Sequence, residues 1–131
     1  VVVLGNGAGA LQAAWVAAMR GHKVALLAGD GPLGGSIANA SGPKNNEAAT
    51  VLKFIAGRLS RLGVTVRRGD GWAIADRAVD ALIVEGNASV PEELLARLPL
   101  DPSACQTIGL CEEPRSLMVA LDEGARAALA I

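Results

Sequence analysis

Residues 1–30 read VVVLGNGAGALQAAWVAAMRGHKVALLAGD. Val1–Leu4 is a short apolar run of the kind that forms a strand buried on both faces. Ala10 to Arg20, rich in alanine and long apolar side chains, predicts a helix with Gly21 as its C-terminal cap. His22 and Lys23 then lead into a second strand, Val24–Leu27. Between the first strand and the helix lies Gly5-Asn6-Gly7-Ala8-Gly9-Ala10, a G-x-G-x-x-A turn. In such a turn the first glycine makes the bend and the second lets backbone approach a pyrophosphate. The third position needs only a small residue, so Ala10 satisfies it. The N-terminus of the helix behind it offers free N–H groups and a partial positive charge to phosphates. Glycine-rich turns are common, but a strand before, a helix and a second strand after form the context that gives this one meaning. A tight strand-to-helix turn that binds nothing is the competing interpretation.

Outward from this unit, AGDGPLGGSIANASGPKNN (residues 28–46) is rich in Gly, Ser and Asn with two prolines and is expected to be a loop. Asn45 or Asn46 can cap a helix that runs to about Leu62 and stops at Gly63. GVTVRR (63–68) predicts a third strand and VDALIV (79–84) a fourth, with a turn or hairpin, GDGWAIADRA, between them. Pro91–Leu98 suits a short helix, with proline in the first turn and Glu92 and Glu93 near its positive end. CQTIGL (105–110) predicts a fifth strand, and Arg115–Ala130 a final amphipathic helix with Gly124 inside it. Strands alternating with helices predict an α/β, Rossmann-like parallel sheet of about five strands in a single domain over residues 1–131.

Composition narrows the function. The chain has 131 residues, 51% hydrophobic and 19% charged, which marks a globular domain with a real core. A net charge of −1 without a basic tract argues against nucleic-acid binding. No apolar run approaches the about 20 residues of a membrane span, and VVVLG lacks the charged start of a secretory signal. The absent initial Met suggests a piece of a longer protein. Cys105 and Cys111, six residues apart, match neither a redox nor a zinc pattern; two buried free thiols in a reducing, cytoplasmic setting are expected. With one histidine and no tyrosine, no catalytic acid or base is recognisable. His22 suits the helix-to-strand turn, Ser36 and Ser116 have no histidine partner at triad spacing, and Trp15 suits packing or an interface rather than ligand stacking, whereas Trp72 could pack or contact an adenine. Glu112 and Glu113, next to Arg115, suit a solvated helix start.

Four stretches come in a familiar order: residues 1–27, GPLGGSIANAS (31–41), FIAGRLSRLGVTVRRG (54–69) and IGLCEEPRSLMVALDEGARAALAI (108–131). Together they resemble the C-terminal FAD/NAD(P)-binding region of the 2,4-dienoyl-CoA reductase and trimethylamine dehydrogenase class. That region has the pyridine nucleotide–disulfide reductase fold and follows an Old Yellow Enzyme-like barrel that carries FMN and an iron–sulfur cluster. By this resemblance Gly5, Gly7 and Ala10 match the phosphate turn, and Leu33, Gly34 and Gly35 match an LGG whose backbone borders the nucleotide, with Ser36 following. Val84-Glu85-Gly86 stands in place of Ala-Thr-Gly. Gly109-Leu110 stands in place of Gly-Asp, and Pro114-Arg115 matches the Pro-Arg after it.

The departures matter as much. The second strand ends in Ala28-Gly29-Asp30, where a carboxylate at the first position normally binds the ribose. Asp30 comes two residues late. Leu110 replaces the Asp that in the family contacts the flavin side of the cofactor. The family's inserted NAD(P)H subdomain is missing, since only GDGWAIADRA separates the third and fourth strands. The implied function is a domain that binds an ADP moiety or FAD for a flavin-dependent oxidoreductase of the NADH:flavin type, without chemistry of its own. The candidate cofactor-binding residues are Gly5, Asn6, Gly7, Ala8, Gly9, Ala10, Ala28, Gly29, Asp30, Gly34, Gly35, Ser36, Gly86, Gly109 and Leu110, with no metal site. The implied partner is the barrel of the parent enzyme, and a homo-oligomer stays open. The alternative, favoured by Ala28 and Leu110, is a vestigial structural or subunit-interface domain that binds no nucleotide.

Overall fold

The computed structural model describes residues 1–40, 46–69, 78–86, 96, 101–109 and 116–131. Its strands β1 (Val2–Leu4), β2 (Ala25–Leu27), β3 (Thr65–Arg67), β4 (Leu82–Glu85) and β5 (Cys105–Ile108) form one sheet in the order β3-β2-β1-β4-β5. Each adjacent pair is parallel. The helices are α1 (Ala8–Met19), α2 (Gly35–Ala40), α3 (Asn46–Arg61) and α4 (Leu117–Ala130), and a 3-10 turn spans Pro102–Ala104. This strand order is that of a doubly wound dinucleotide-binding sheet, so the expected α/β class and parallel sheet are what the chain forms.

The apolar start of the chain becomes the centre of that sheet. Successive side chains of a strand point to opposite faces. Val3 therefore joins one core with α1, α3 and α4, while Val2 and Leu4 join Leu27, Val79, Leu82 and Val84 on the other face. Helix α1 is apolar nearly all round because it packs on the sheet and touches both α3 and α4. In α3, Leu52, Ile55 and Leu59 recur at helical spacing and are buried. On its exposed side, Phe54 stacks edge-on against Trp15, with ring centroids 5.7 Å apart. Trp15 is thus a packing residue, as its position on the first helix suggested.

Helices α1 and α4 meet backbone to backbone. A methyl group at Gly124 would overlap the Gly9 carbonyl oxygen and lie 3.1 Å from the Ala13 nitrogen. At the other end, the Arg20 guanidinium donates to the carbonyls of Ala128 and Ile131, tying the last turn of α1 to the last turn of α4. Both glycines foreseen as helix stops serve as such. The N–H of Gly21 donates to Ala18 and that of His22 to Ala17, and the N–H of Gly63 donates to Ser60 and that of Val64 to Leu59. This paired arrangement closes a helix on a left-handed residue, here at φ of +88° and +71°.

Three expectations need correction. Helix α1 starts at Ala8 rather than Ala10, so the glycine turn is already the helix N-terminus. The segment from 28 to 46 is not all loop: α2 forms within it, and Ile37 and Ala38 pack against the core, which outweighs a composition poor in helix formers. Cys105 is exposed rather than buried, because β5 is an edge strand whose outer positions Cys105 and Thr107 lack a cover among the described residues. Asn46 is the first residue of α3, and Asn45 lies outside the described residues. Also outside them are Leu110, Cys111, Trp72, Glu112, Glu113 and Pro114-Arg115, most of the hairpin expected over 69–78, and, apart from Ala96, the helix expected over 91–98. Among the described residues, no helix is long and apolar enough to cross a membrane.

Candidate functional site

In sheets of this order, ligands lie outside the carboxyl ends of the strands where the order reverses. Here that point is between β1 and β4. The register pairs Leu4 with Val84, so Gly5, just past the end of β1, comes beside Glu85, the last residue of β4, which still pairs with Ile108 of β5. Gly5 also stays tied to β2, its N–H donating to the Leu27 carbonyl at 3.0 Å. The chain then turns through Asn6 into α1, whose N-cap is Gly7.

The start of a helix presents N–H groups with no partner inside the helix. Glycine at the N-cap has no side chain to satisfy them, and none of α1's own side chains caps it. Glu85 does so from across the sheet. Its Oε2 accepts from the Gly7 N–H at 2.6 Å, and its Oε1 accepts from the Ala10 N–H at 3.1 Å. A carboxylate suits this place: the bonds are charge-assisted, and the positive end of the helix dipole faces the negative charge. The two oxygens take the kind of N–H donors that phosphate oxygens take in nucleotide-binding turns. The turn is therefore an anion cradle, and its anion is the protein's own.

The glycines explain how the side chain fits. A Cβ at Gly5 would lie 2.6 Å from the Glu85 Cβ, and one at Gly7 only 2.5 Å from Oε1. Gly9 and Gly109 are nearly as close, at 3.0 Å from Oε1 and 3.5 Å from Cγ. The space that these residues leave open beside the turn is filled by the half-buried Glu85 side chain.

The other candidate residues fall into three groups. Gly34 and Gly35 come directly onto the turn. The Gly34 N–H donates to the Asn6 carbonyl at 2.6 Å, Gly34 bridges to Gly7, and a Cβ at Gly35 would lie 3.1 Å from the Gly7 Cα. Ser36 follows, exposed, at the start of α2. Gly86 and Gly109 also converge beside Glu85, but their N–H groups are engaged: Gly86 donates to the Ile108 carbonyl at 2.7 Å and Gly109 to a Glu123 carboxylate oxygen at 3.1 Å. The end of β2 differs. Ala28 is buried and offers no acceptor side chain, and Gly29 follows it. Asp30 is exposed and lies beside Gly69, which follows β3, on the side of β2 away from β1. It is not brought to the turn. Ala8, Gly9 and Ala10 form the first turn of α1.

Glu85 is the residue that the sequence reading missed. It entered only as part of Val84-Glu85-Gly86, with Gly86 taken as the site residue. The available signal was an acid directly after VDALIV, the apolar run predicted as the fourth strand. Among the described residues, no group of His, Cys, Asp and Glu is arranged to hold a metal.

Comparison with known proteins agrees with this geometry. Residues 1–46, which span β1, the turn, α1, β2 and α2, match a family described as an FAD binding domain. Over 103 residues, 76% of the chain, it is 35% identical to the N,N-dimethylglycine/sarcosine dehydrogenase of Chromohalobacter salexigens, covering 14% of that protein. Over 69 residues, 51% of the chain, it is 42% identical to the cinnamate reductase of Clostridium sporogenes, covering 10% of it. Over 92 residues, 67% of the chain, it is 34% identical to the bilirubin reductase of Mediterraneibacter gnavus, covering 14% of it. The matched part is thus no more than 14% of any of these three proteins. These likenesses extend an FAD-binding resemblance over residues 1–46 and do not single out the dienoyl-CoA reductase and trimethylamine dehydrogenase class.

FAD can be tested against the residues present. The N–H donors of the turn suit its pyrophosphate, but the Glu85 carboxylate holds two of them, and no carboxylate stands at the end of β2 for the ribose. The cradle fits the group only with Glu85 moved aside.

Proposed function

We propose that this chain is the part of an FAD-binding domain that holds the ADP moiety, within a larger flavin-dependent oxidoreductase. The observation that carries this is the convergence of the Gly7 and Ala10 N–H groups on one anionic group at the switch point of a parallel sheet. The three relatives, a dehydrogenase and two reductases, support the same class. In the finer form of the proposal, the parent is an NADH:flavin oxidoreductase with an Old Yellow Enzyme-like barrel as this domain's partner, in the cytoplasm. The domain binds and positions; the chemistry belongs to the cofactor and the rest of the enzyme.

A second interpretation, a structural domain that binds no nucleotide, is favoured by buried Ala28 in place of the ribose-binding acid. Thermal unfolding with ADP, FAD and NADH, on the native chain and on Glu85→Thr, separates the two. A ligand at 100 times its Kd adds about 2.7 kcal/mol, a rise of several degrees for a domain of this size. A rise with ADP and FAD that Gly7→Trp abolishes supports binding. No rise with any of the three ligands in either protein, up to millimolar, refutes it.

A further inference from the structure

We propose that Glu85 is an autoinhibitory residue: its carboxylate occupies the pyrophosphate cradle of the glycine turn and has to swing out before a nucleotide can enter. The inference rests on reading the turn as a nucleotide site. Three observations carry it. Both carboxylate oxygens are engaged by the turn, Oε2 by the N-cap residue Gly7 and Oε1 by Ala10, one helical turn further on. The side chain fills the volume that the glycines leave, lying within 3.0 Å of where a Cβ would stand at each of Gly5, Gly7 and Gly9. The register of β4 against β1 fixes the Glu85 backbone next to Gly5, so the carboxylate reaches the turn without any distortion of the sheet.

Such a contact excludes a pyrophosphate in two ways. An N–H that already donates to a carboxylate at 2.6 Å has no room for a phosphate oxygen at hydrogen-bond distance along the same direction. A dinucleotide's pyrophosphate is also negative, so sharing the cradle with an ionised carboxylate is repulsive. The ligand class that would take the site is an adenosine diphosphate moiety, free or as part of a dinucleotide. The route is a rotation of the Glu85 side chain away from Gly7 and Ala10, with β4 left in place.

The experiment compares the native chain with Glu85→Thr and the near-isosteric Glu85→Gln. It reads amide hydrogen exchange by NMR at Gly7 and Ala10 and measures ADP affinity by titration. The amides of Val3 and Ile83, in the sheet core, report that each variant is folded. If Glu85 occupies the cradle, Gly7 and Ala10 exchange about tenfold faster or more in Glu85→Thr, with Val3 and Ile83 unchanged. ADP then binds Glu85→Thr at least about tenfold more tightly than the native chain and protects the same two amides. Equal ADP affinity in the native chain and both variants overturns the autoinhibitory role. Unchanged exchange at Gly7 and Ala10 overturns it as well, because the carboxylate is then not their partner. No ADP binding to any of the three proteins refutes the nucleotide site itself, and the autoinhibitory role falls with it.

Discussion

Replacing Gly124 by alanine should destabilise this domain, although the same change in an exposed helix would stabilise it. Alanine is favoured over glycine in a helix interior by about 1 kcal/mol. At Gly124 the added methyl would meet the carbonyl carbon of Gly9 at 2.9 Å and the nitrogen of Ala13 at 3.1 Å. Both are backbone atoms of α1, so no side-chain rotation relieves the overlap and the helices have to separate. Overpacking of this kind costs about 1–3 kcal/mol, and the backbone contact argues for the upper half of that range. After the gain in helix propensity, a net loss of about 1–2 kcal/mol remains. Gly57 supplies the control. It is exposed in α3, and a Cβ there would meet nothing within 4 Å. Gly57→Ala should therefore stabilise by about 0.5–1 kcal/mol. Urea unfolding, with the slope compared to confirm that only the midpoint moves, measures both. The thermal midpoint should fall by roughly 3–10 °C for Gly124→Ala and rise by a few degrees for Gly57→Ala. A Gly124→Ala protein as stable as the Gly57→Ala protein would mean that α1 and α4 do not meet through these backbones.

Three further substitutions test the remaining structural contacts. Arg20→Ala removes the donor to the Ala128 and Ile131 carbonyls and should cost about 1 kcal/mol by chemical denaturation, with α4 fraying first in amide exchange. Gly63→Ala should cost about 1 kcal/mol although its Cβ would be in open space, because φ is +71° there; an unchanged unfolding midpoint would contradict the left-handed helix stop. Asp101 is held below its usual value of 3.8, first by the Ser103 N–H and then by the Ser103 hydroxyl. The turn over Pro102–Ala104 therefore gains support from this carboxylate above pH 3.8 and loses it as pH falls through the lowered value, which chemical shifts of Ser103 in an acid titration should follow and Asp101→Asn should abolish.

The fold was legible because its signals are local. A buried strand, a glycine turn and a helix stop occupy adjacent residues, and Gly21 and Gly63 close their helices through contacts no more than five residues away. The short helix over Gly35–Ala40 was hidden because its support comes from burial of Ile37 and Ala38 on the core, whereas its composition points to a loop. The exposure of Cys105 depends on β5 ending the sheet, and strand order is not written in any one segment. At the site, Gly5, Gly7, Gly34 and Gly35 were foreseen and are brought together. Asp30 was placed by proximity in sequence, but it projects beside Gly69. Glu85 lies 78 residues from Gly7 along the chain, and only the pairing of β4 with β1 puts them in contact.

That long-range contact changes how affinity at the turn has to be counted. In a nucleotide-binding turn with a neutral residue at the end of the fourth strand, phosphate exchanges hydrogen bonds with water for hydrogen bonds with the backbone. Here the incoming phosphate also displaces a carboxylate already bonded to the same N–H groups. The net gain is then the difference between two similar interactions. If the carboxylate contacts are worth about 2 kcal/mol, affinity falls roughly 30-fold from their loss alone. If the displaced Glu85 stays about 5 Å from the pyrophosphate, repulsion at an effective dielectric constant near 20 adds about 3 kcal/mol for each unit of phosphate charge. The two together are enough to turn a micromolar site into a millimolar one. The same contacts stabilise the start of α1 when no ligand is bound, which a domain with glycine at its N-cap cannot do locally. Strong binding and a well-capped apo helix are thus opposed at Glu85, and a donor group outside the turn that held the carboxylate elsewhere would shift the balance towards the nucleotide.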